Sequence, residues 1–306
     1  MNLQNIMVAP FRKERDKAWE KSTMNLTATV DKIRNDRQHG ASQLTRQALE
    51  LIEQTALHDS SDNIDAFQAL IFSLLSELAL CRPTMVSIAN VVNQYQNKLQ
   101  QQLSSSPDLH TLREMAIKLA RDYLNELETS RQKVIENGAS LISAGMTIMT
   151  CSYSSVIIAC LLQARRQGKS FNLLAAQSQL SPHHPAYGEI MVEEPAQQNV
   201  PGQVFPDSDV ENLVKKTDLI LLGADAVLAD GSLINGYPSL NMAQAAFDSP
   251  KSIPVYVLCE TLKFTTQTLP VSEEGFDTVP KAYLTGIITE KGKITPEAVK
   301  SYLEIR

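Results

Sequence analysis

An aspartate closing a short buried strand is the residue in this chain best placed to do chemistry. In Asp218-Leu219-Ile220-Leu221-Leu222-Gly223-Ala224-Asp225, four apolar residues run into a glycine and Asp225 stands just past the strand's carboxyl end. In open α/β sheets that rim binds ligands. The same aspartate also fits a plain turn or a helix cap. A second polar rim follows residues 146–150, where Cys151-Ser152-Tyr153-Ser154-Ser155 brings a thiol and several hydroxyls to a strand-to-helix turn. A third stretch, Arg34 through His39-Gly40-Ala41-Ser42, runs into a helix over 43–54. Backbone N–H groups at such a helix start hold anions, with Arg34 or Arg37 beside them; Ser42 is equally an ordinary cap. At Cys81-Arg82-Pro83-Thr84 the proline ends one helix, Thr84 can cap the next, and Arg82 sits at the corner. His183-His184 is flanked by prolines, which favours a loop over a metal site.

Two kinds of scaffold must hold these residues. Residues 12–137 are helix-rich: Leu70, Leu74 and Leu78, with Ile71 and Leu75, recur at helical spacing, and residues 112–127 repeat the pattern. The pattern changes after Gly138. Strands are expected at 146–150, 171–176, 219–222, 253–259 and 285–289, with weaker ones at 190–192 and 204–205. Helices are expected at 156–167, 209–216 and 240–247, and Asp230-Gly231 is a turn pair. Strand and helix in alternation predict a Rossmann-like parallel sheet. The expected fold is therefore α/β: a helical amino-terminal domain over 1–137, then a Rossmann-like domain over 138–306. No GxGxxG is present, so no dinucleotide is indicated, and no cofactor is expected.

Composition narrows the partners. The chain has 306 residues, 43% of them apolar, enough for a real core. Its formal charge of −6, with both signs interspersed, gives no general attraction to nucleic acid or anionic membrane. No apolar run is long enough to span a bilayer, and the first residues lack the order of a signal peptide. Cys81, Cys151, Cys160 and Cys259 are far apart and form no CxxC pair, which reads as reduced thiols in a cytoplasmic protein.

Several blocks together resemble one family: Arg82-Pro83-Thr84 with Asn90, the stretch 150–154, Gly223-Ala224-Asp225-Ala226, Asp230-Gly231, Asn235, and Glu260-Thr261 with Lys263-Phe264. The family unites the α, β and δ regulatory subunits of eukaryotic initiation factor 2B with methylthioribose-1-phosphate isomerase and ribose-1,5-bisphosphate isomerase. The resemblance implies a homodimer or higher homo-oligomer paired through the sheet domain. It also implies a sugar-phosphate pocket formed by Asp225, Arg82, Asn90, Tyr153, Asn235 and Lys263. The isomerases of this family use a cysteine and an aspartate as acid and base. Asp225 matches the aspartate, and Ser152 aligns with the cysteine while Cys151 falls on its neighbour. His39 stands where the isomerases have arginine, and two further cationic positions are emptied. A serine hydroxyl is a far weaker acid than a thiol. The resulting expectation is a non-catalytic relative, like the regulatory subunits, that binds a protein partner or a small ligand with at most one phosphate. The alternative is an aldose–ketose isomerase of a ribose phosphate using Asp225 with Cys151.

Overall fold

Four long helices and a further helical segment build the amino-terminal half of the computed structural model, which describes residues 26–304 apart from 106, 182–184, 268 and 270–273. Helix α1 covers 26–35, followed by α2 (Ala41–Leu57), α3 (Ile64–Leu80), α4 (Val86–Leu103) and α5 (Leu109–Leu141). The apolar stripe read from the sequence packs as expected: Ile71, Leu74, Leu75 and Leu78 of α3 meet Leu44, Leu49 and Ile52 of α2 in one core. Two helix starts are capped by side chains, Asn63 on α3 and Asp108 on α5. The expected caps Ser42 and Thr84 do not stand at the cap positions. Gly40 takes the position before α2 and Met85 the one before α4, neither with a side-chain bond.

The carboxyl-terminal half is an α/β unit: β1 (Thr147–Thr150), α6 (Ser155–Arg166), β2 (Asn172–Ala176), α7 (Tyr187–Ala196), β3 (Gly202–Phe205), α8 (Val210–Leu213), β4 (Leu219–Leu222), β5 (Ala226–Leu228), β6 (Leu233–Gly236), α9 (Ser239–Asp248), β7 (Val255–Leu258), β8 (Phe264–Thr265), β9 (Phe276–Val279), β10 (Gly286–Thr289), β11 (Gly292–Ile294) and α10 (Val299–Glu304). The main sheet runs β11-β10-β7-β4-β1-β2-β3 and is parallel except for the β10–β11 edge pair. The order reverses direction between β1 and β4, where doubly wound sheets open a crevice at the strands' carboxyl ends. Strand alternation divides the core in two. Ile220 and Leu222 face one side with Met242 and Ala246 of α9; Leu219 and Leu221 face the other with α6 and the end of α5.

Two departures from the sequence reading concern strands. Residues 190–192 lie in α7, not a strand; only Met191 of the three is fully buried, and Glu193 and Glu194 continue a helical pattern. A second sheet, β8-β5-β6-β9, follows β4 and was not foreseen because its strands are two to four residues long. Asp230-Gly231 forms the turn between β5 and β6. Gly231 has φ +91°, and an added Cβ would lie 2.4 Å from the Pro296 carbonyl, so glycine is required there.

The two halves are joined by shared elements. Helix α5 gives Leu112, Ala116 and Tyr123 to the helical core and Val134, Ile135 and Ala139 to the sheet core. At 33 residues it reaches about 50 Å. Asn90 of α4 donates from Nδ2 to the carbonyls of Leu262 (2.7 Å) and Phe264 (3.0 Å). Among the described residues no helix is long and apolar enough to cross a membrane. Replacing Asn90 by Ala strips both carbonyls of their donor, and urea denaturation is expected to show a loss of about 1–3 kcal/mol.

Candidate functional site

Strand β1 delivers two neighbouring residues to opposite sides of the rim. Cys151 continues the strand into the core, fully buried, with Sγ 3.3 Å from Ser239 Oγ. Burial pushes its thiol up to about 12, against a smaller lowering from Ser239. Ser152 turns out of the strand in the left-handed region, φ 58°, and lines an open cavity of about 290 Å³. Its N–H donates to Ser178 Oγ (2.7 Å) beyond β2, where Ser178 is also left-handed at φ 51°. The N–H groups of Ser178 and Gln179 donate in turn to the two oxygens of Asp207 beyond β3, at 2.7 and 3.2 Å. Non-glycine residues held in this region store strain and gather at functional sites. Gly236 makes room for Ser152: an added Cβ would fall 2.1 Å from its hydroxyl.

Strand β4 delivers Asp225 to the same cavity, half-buried, its N–H donating to the Ile234 carbonyl at 2.9 Å. The strands are neighbours, with Ile148 opposite Leu219 and Met149 opposite Ile220, so the turns after β1 and β4 lie side by side.

The helical half closes the other wall. Arg37, His39 and Gly40, before α2, line the cavity with Arg82 from the α3–α4 corner. Asp36 organises this segment. One carboxylate oxygen accepts from the N–H groups of Gln38 and His39, each at 2.8 Å, and the other lies 2.8 Å from His39 Nδ1. Burial opposes ionisation of Asp36, but the His39 ring and these amides outweigh it and hold the carboxyl below its usual value. The Asp36 carbonyl accepts from Arg82 Nη1, and Tyr187 of α7 donates its hydroxyl to the Arg37 carbonyl at 2.7 Å. Tyr153 packs on Gly40, 3.7 Å from where its Cβ would stand. Burial pushes the Tyr153, Tyr187 and Tyr237 hydroxyls up.

The expected site residues therefore divide. Asp225, Ser152, Tyr153 and Arg82 come together on the cavity. Lys263, Asn90 and Asn235 stand behind it. Lys263, 5% exposed, donates to the Ala224 carbonyl at 2.8 Å and lies 3.8 Å from Glu260, so it braces the turn before Asp225. Asn235 donates to Ser239 Oγ at 2.8 Å inside the core. Of the two arginines expected at the helix start, Arg37 lines the cavity and Arg34 pairs with Asp31. The His39–Asp36 pair, Tyr187, Ser178 and Glu274 also line or support the site and were not foreseen as site residues. The spacing of Asp36 and His39 in one polar stretch was the available signal for the pair. His183 and His184 lie outside the described residues, and no cluster of metal-ligating side chains occurs among the described residues. The cavity thus offers two carboxylates, Asp225 and Glu274, an imidazole held by a third, two guanidinium groups and a helix start. That set suits a phosphorylated, hydroxyl-rich ligand.

Comparison with known proteins places this geometry. The profile described as the initiation factor 2 subunit family matches residues 37–274. Ribose 1,5-bisphosphate isomerase of Archaeoglobus fulgidus is 28% identical over 294 residues, 88% of this chain and 89% of its own. That of Thermococcus kodakarensis is 27% identical over 298 residues, 88% of this chain and 90% of its own. The solved structure of translation initiation factor eIF-2B from Pyrococcus horikoshii OT3 superposes with a TM-score of 0.77 at 23% identity, over 89% of this chain and 97% of that one, which is a likeness of fold. These relatives overturn the expectation of a non-catalytic binding protein, since chains named as isomerases match this one along nearly their whole length. The expectation counts emptied cationic positions one by one, whereas the fold gathers Arg37 and Arg82 from separate segments onto one cavity.

The buried thiols give a direct test. Cys81, Cys151, Cys160 and Cys259 are all buried and unpaired, and burial raises each thiol. Because the thiolate is the reactive form, the native protein is expected to resist iodoacetamide at about pH 8 and to label at all four cysteines only when denatured. Mass spectrometry of the digest reads this out, and Cys151→Ser is expected to leave ligand binding unchanged.

Proposed function

The chain belongs to the initiation factor 2 subunit family, and from that footing we propose that it is an aldose–ketose isomerase acting on a ribose phosphate of the ribose 1,5-bisphosphate type. The observation that carries the reading is the placement of Asp225 and two guanidinium groups, Arg37 and Arg82, on one cavity at the switch point of the sheet. The chemistry is proton movement. Asp225, as a carboxylate, takes the proton from C2 of the sugar and returns it to C1, a role carboxylates fill in general acid–base catalysis. Arg37 and Arg82 hold phosphate oxygens, and the start of α2 adds the positive end of its dipole. Ser152, the residue aligned with the family's cysteine, keeps its proton and donates a hydrogen bond to a sugar oxygen. No cofactor is required by such a reaction.

The protein acts as a homodimer paired through the sheet region. Support comes from Phe247 on α9, 60% exposed, whose ring lies 5.1 Å from that of Tyr283. Isolated large apolar side chains are ordinary on surfaces, and Phe247 supports the reading as an exposed aromatic of the type enriched at interfaces. The four free cysteines agree with a reducing, cytoplasmic location.

Conversion of ribose 1,5-bisphosphate to the ketose, followed by phosphorus and proton NMR, tests the activity. Turnover is expected in the wild type. Asp225→Asn is expected to lower kcat by about 10²- to 10⁴-fold while the sugar phosphate still binds; an unchanged rate would remove Asp225 from the chemistry. Light scattering is expected to give a dimer, and Phe247→Asp to shift it toward the monomer.

A further inference from the structure

Aldose–ketose isomerisation needs more than one proton relay. The ketose carries an extra hydrogen on C1 and none on C2. The electron pair of the C2–H bond passes into the bond to C1, so C2 is oxidised and C1 reduced within one molecule. O2 loses its proton as it becomes the carbonyl oxygen; the bond from C1 to the ring oxygen breaks, and that oxygen gains a proton to become a hydroxyl. One relay runs between carbons and one between oxygens. Asp225 serves the first, and the second needs a group that both gives and takes a proton near neutral pH.

The cavity wall narrows the choice. Arg37 and Arg82 keep their protons. Tyr153, Tyr187 and Tyr237 are pushed up by burial and stay protonated. Ser152 and Ser178 hydroxyls are too weakly acidic, and Cys151 faces the core. Asp225 and Glu274 are carboxylates. Among the described lining residues, His39 is the one imidazole, the side chain most often used to give and take a proton in general acid–base catalysis. Its Nδ1 is 2.8 Å from Asp36 Oδ2, while Asp36 Oδ1 is held by two backbone amides, so the carboxylate is fixed in place. A neutral ring so bonded carries its proton on Nδ1 and leaves the Nε2 lone pair for the ligand, and the carboxylate stabilises the imidazolium that forms. Asp36 is the group bonded to this ring, and the other charged and titratable groups that line the cavity with it are Arg37 on its own segment, Arg82 from the helix corner, Tyr153 after β1, Tyr187 from α7, Asp225 after β4, Tyr237 after β6 and Glu274 before β9.

Resting on the isomerase reading above, we propose that His39, held by Asp36, is the group that shuttles the oxygen-bound proton while Asp225 shuttles the carbon-bound one. The imidazole thereby does work that a serine at position 152 cannot.

The test is the same NMR assay on the full-length protein across about pH 5.5 to 9, with His39→Gln, His39→Arg, His39→Ala and Asp36→Asn, each checked for fold by circular dichroism. His39→Gln is expected to lower kcat by about 10²- to 10⁴-fold with KM changed only a few-fold, and to remove one limb of the pH–rate profile. Added imidazole is expected to restore rate to His39→Ala, and Asp36→Asn to lower kcat with ligand binding retained. Wild-type rate in His39→Gln, or in His39→Arg, overturns the proposal, the latter by showing that a fixed cation suffices. Absence of turnover in the wild type overturns the isomerase reading and this proposal with it; turnover in the wild type that His39→Gln does not change overturns this proposal alone.

Discussion

Strands β1 and β4 meet at the centre of the sheet with Ile148 opposite Leu219 and Met149 opposite Ile220, and the site hangs from that register. The pairing sets the turn that carries Ser152 beside the turn that carries Asp225. It also fixes which residues face inward. Side chains alternate along a strand, so a slip of one residue would exchange the core face for the other. Both faces of the sheet are packed, with Ile220 and Leu222 in one core and Leu219 and Leu221 in the other, and a slip would disturb both at once.

The same alternation decides the fate of two adjacent candidates. Cys151 obeys the strand and enters the core beside Met149 and Leu222. Ser152 leaves it through a left-handed turn that its bond to Ser178 supports and the bare Cα of Gly236 accommodates. A thiol one position later would have stood in the cavity; at 151 it lies in the core, raised by burial to about 12. In the proposed reaction, acid–base work falls to groups that line the cavity.

Positioning of Asp225 depends on contacts that cross the molecule. Lys263 pulls on the Ala224 carbonyl, Glu260 lies beside that ammonium, and Asn90 of α4 grips the carbonyls on either side of Lys263. A buried lysine is tolerable only with such partners. On the other wall, Arg82 holds the Asp36 carbonyl and Tyr187 the Arg37 carbonyl, tying the segment before α2 both to its own half and to α7. Each wall of the cavity is thus anchored in both halves of the chain, which holds the helical and sheet portions in one relative placement.

Much of the architecture could be read from residue order, because periodicity and turn chemistry are local. The leucine stripe of α3, the buried run of β4 and the strand–turn–helix around residues 150–155 all formed where expected, and Asp225 fell on the rim. Motif residues spread between positions 82 and 264 carried the family resemblance. Roles were another matter. Asn90, Asn235 and Lys263 belong to the motif yet face backbone and core, and no spacing in the chain tells a ligand contact from a brace beneath it. The short strands of the second sheet carry too little period to detect, and the 190–192 run, expected as a weak strand, lies in α7. Residue order alone determined which elements form and which polar residues reach a strand end. Tertiary structure alone decided which of them face one another, because that depends on pairing register and on contacts between segments as far apart as Asn90 and Phe264.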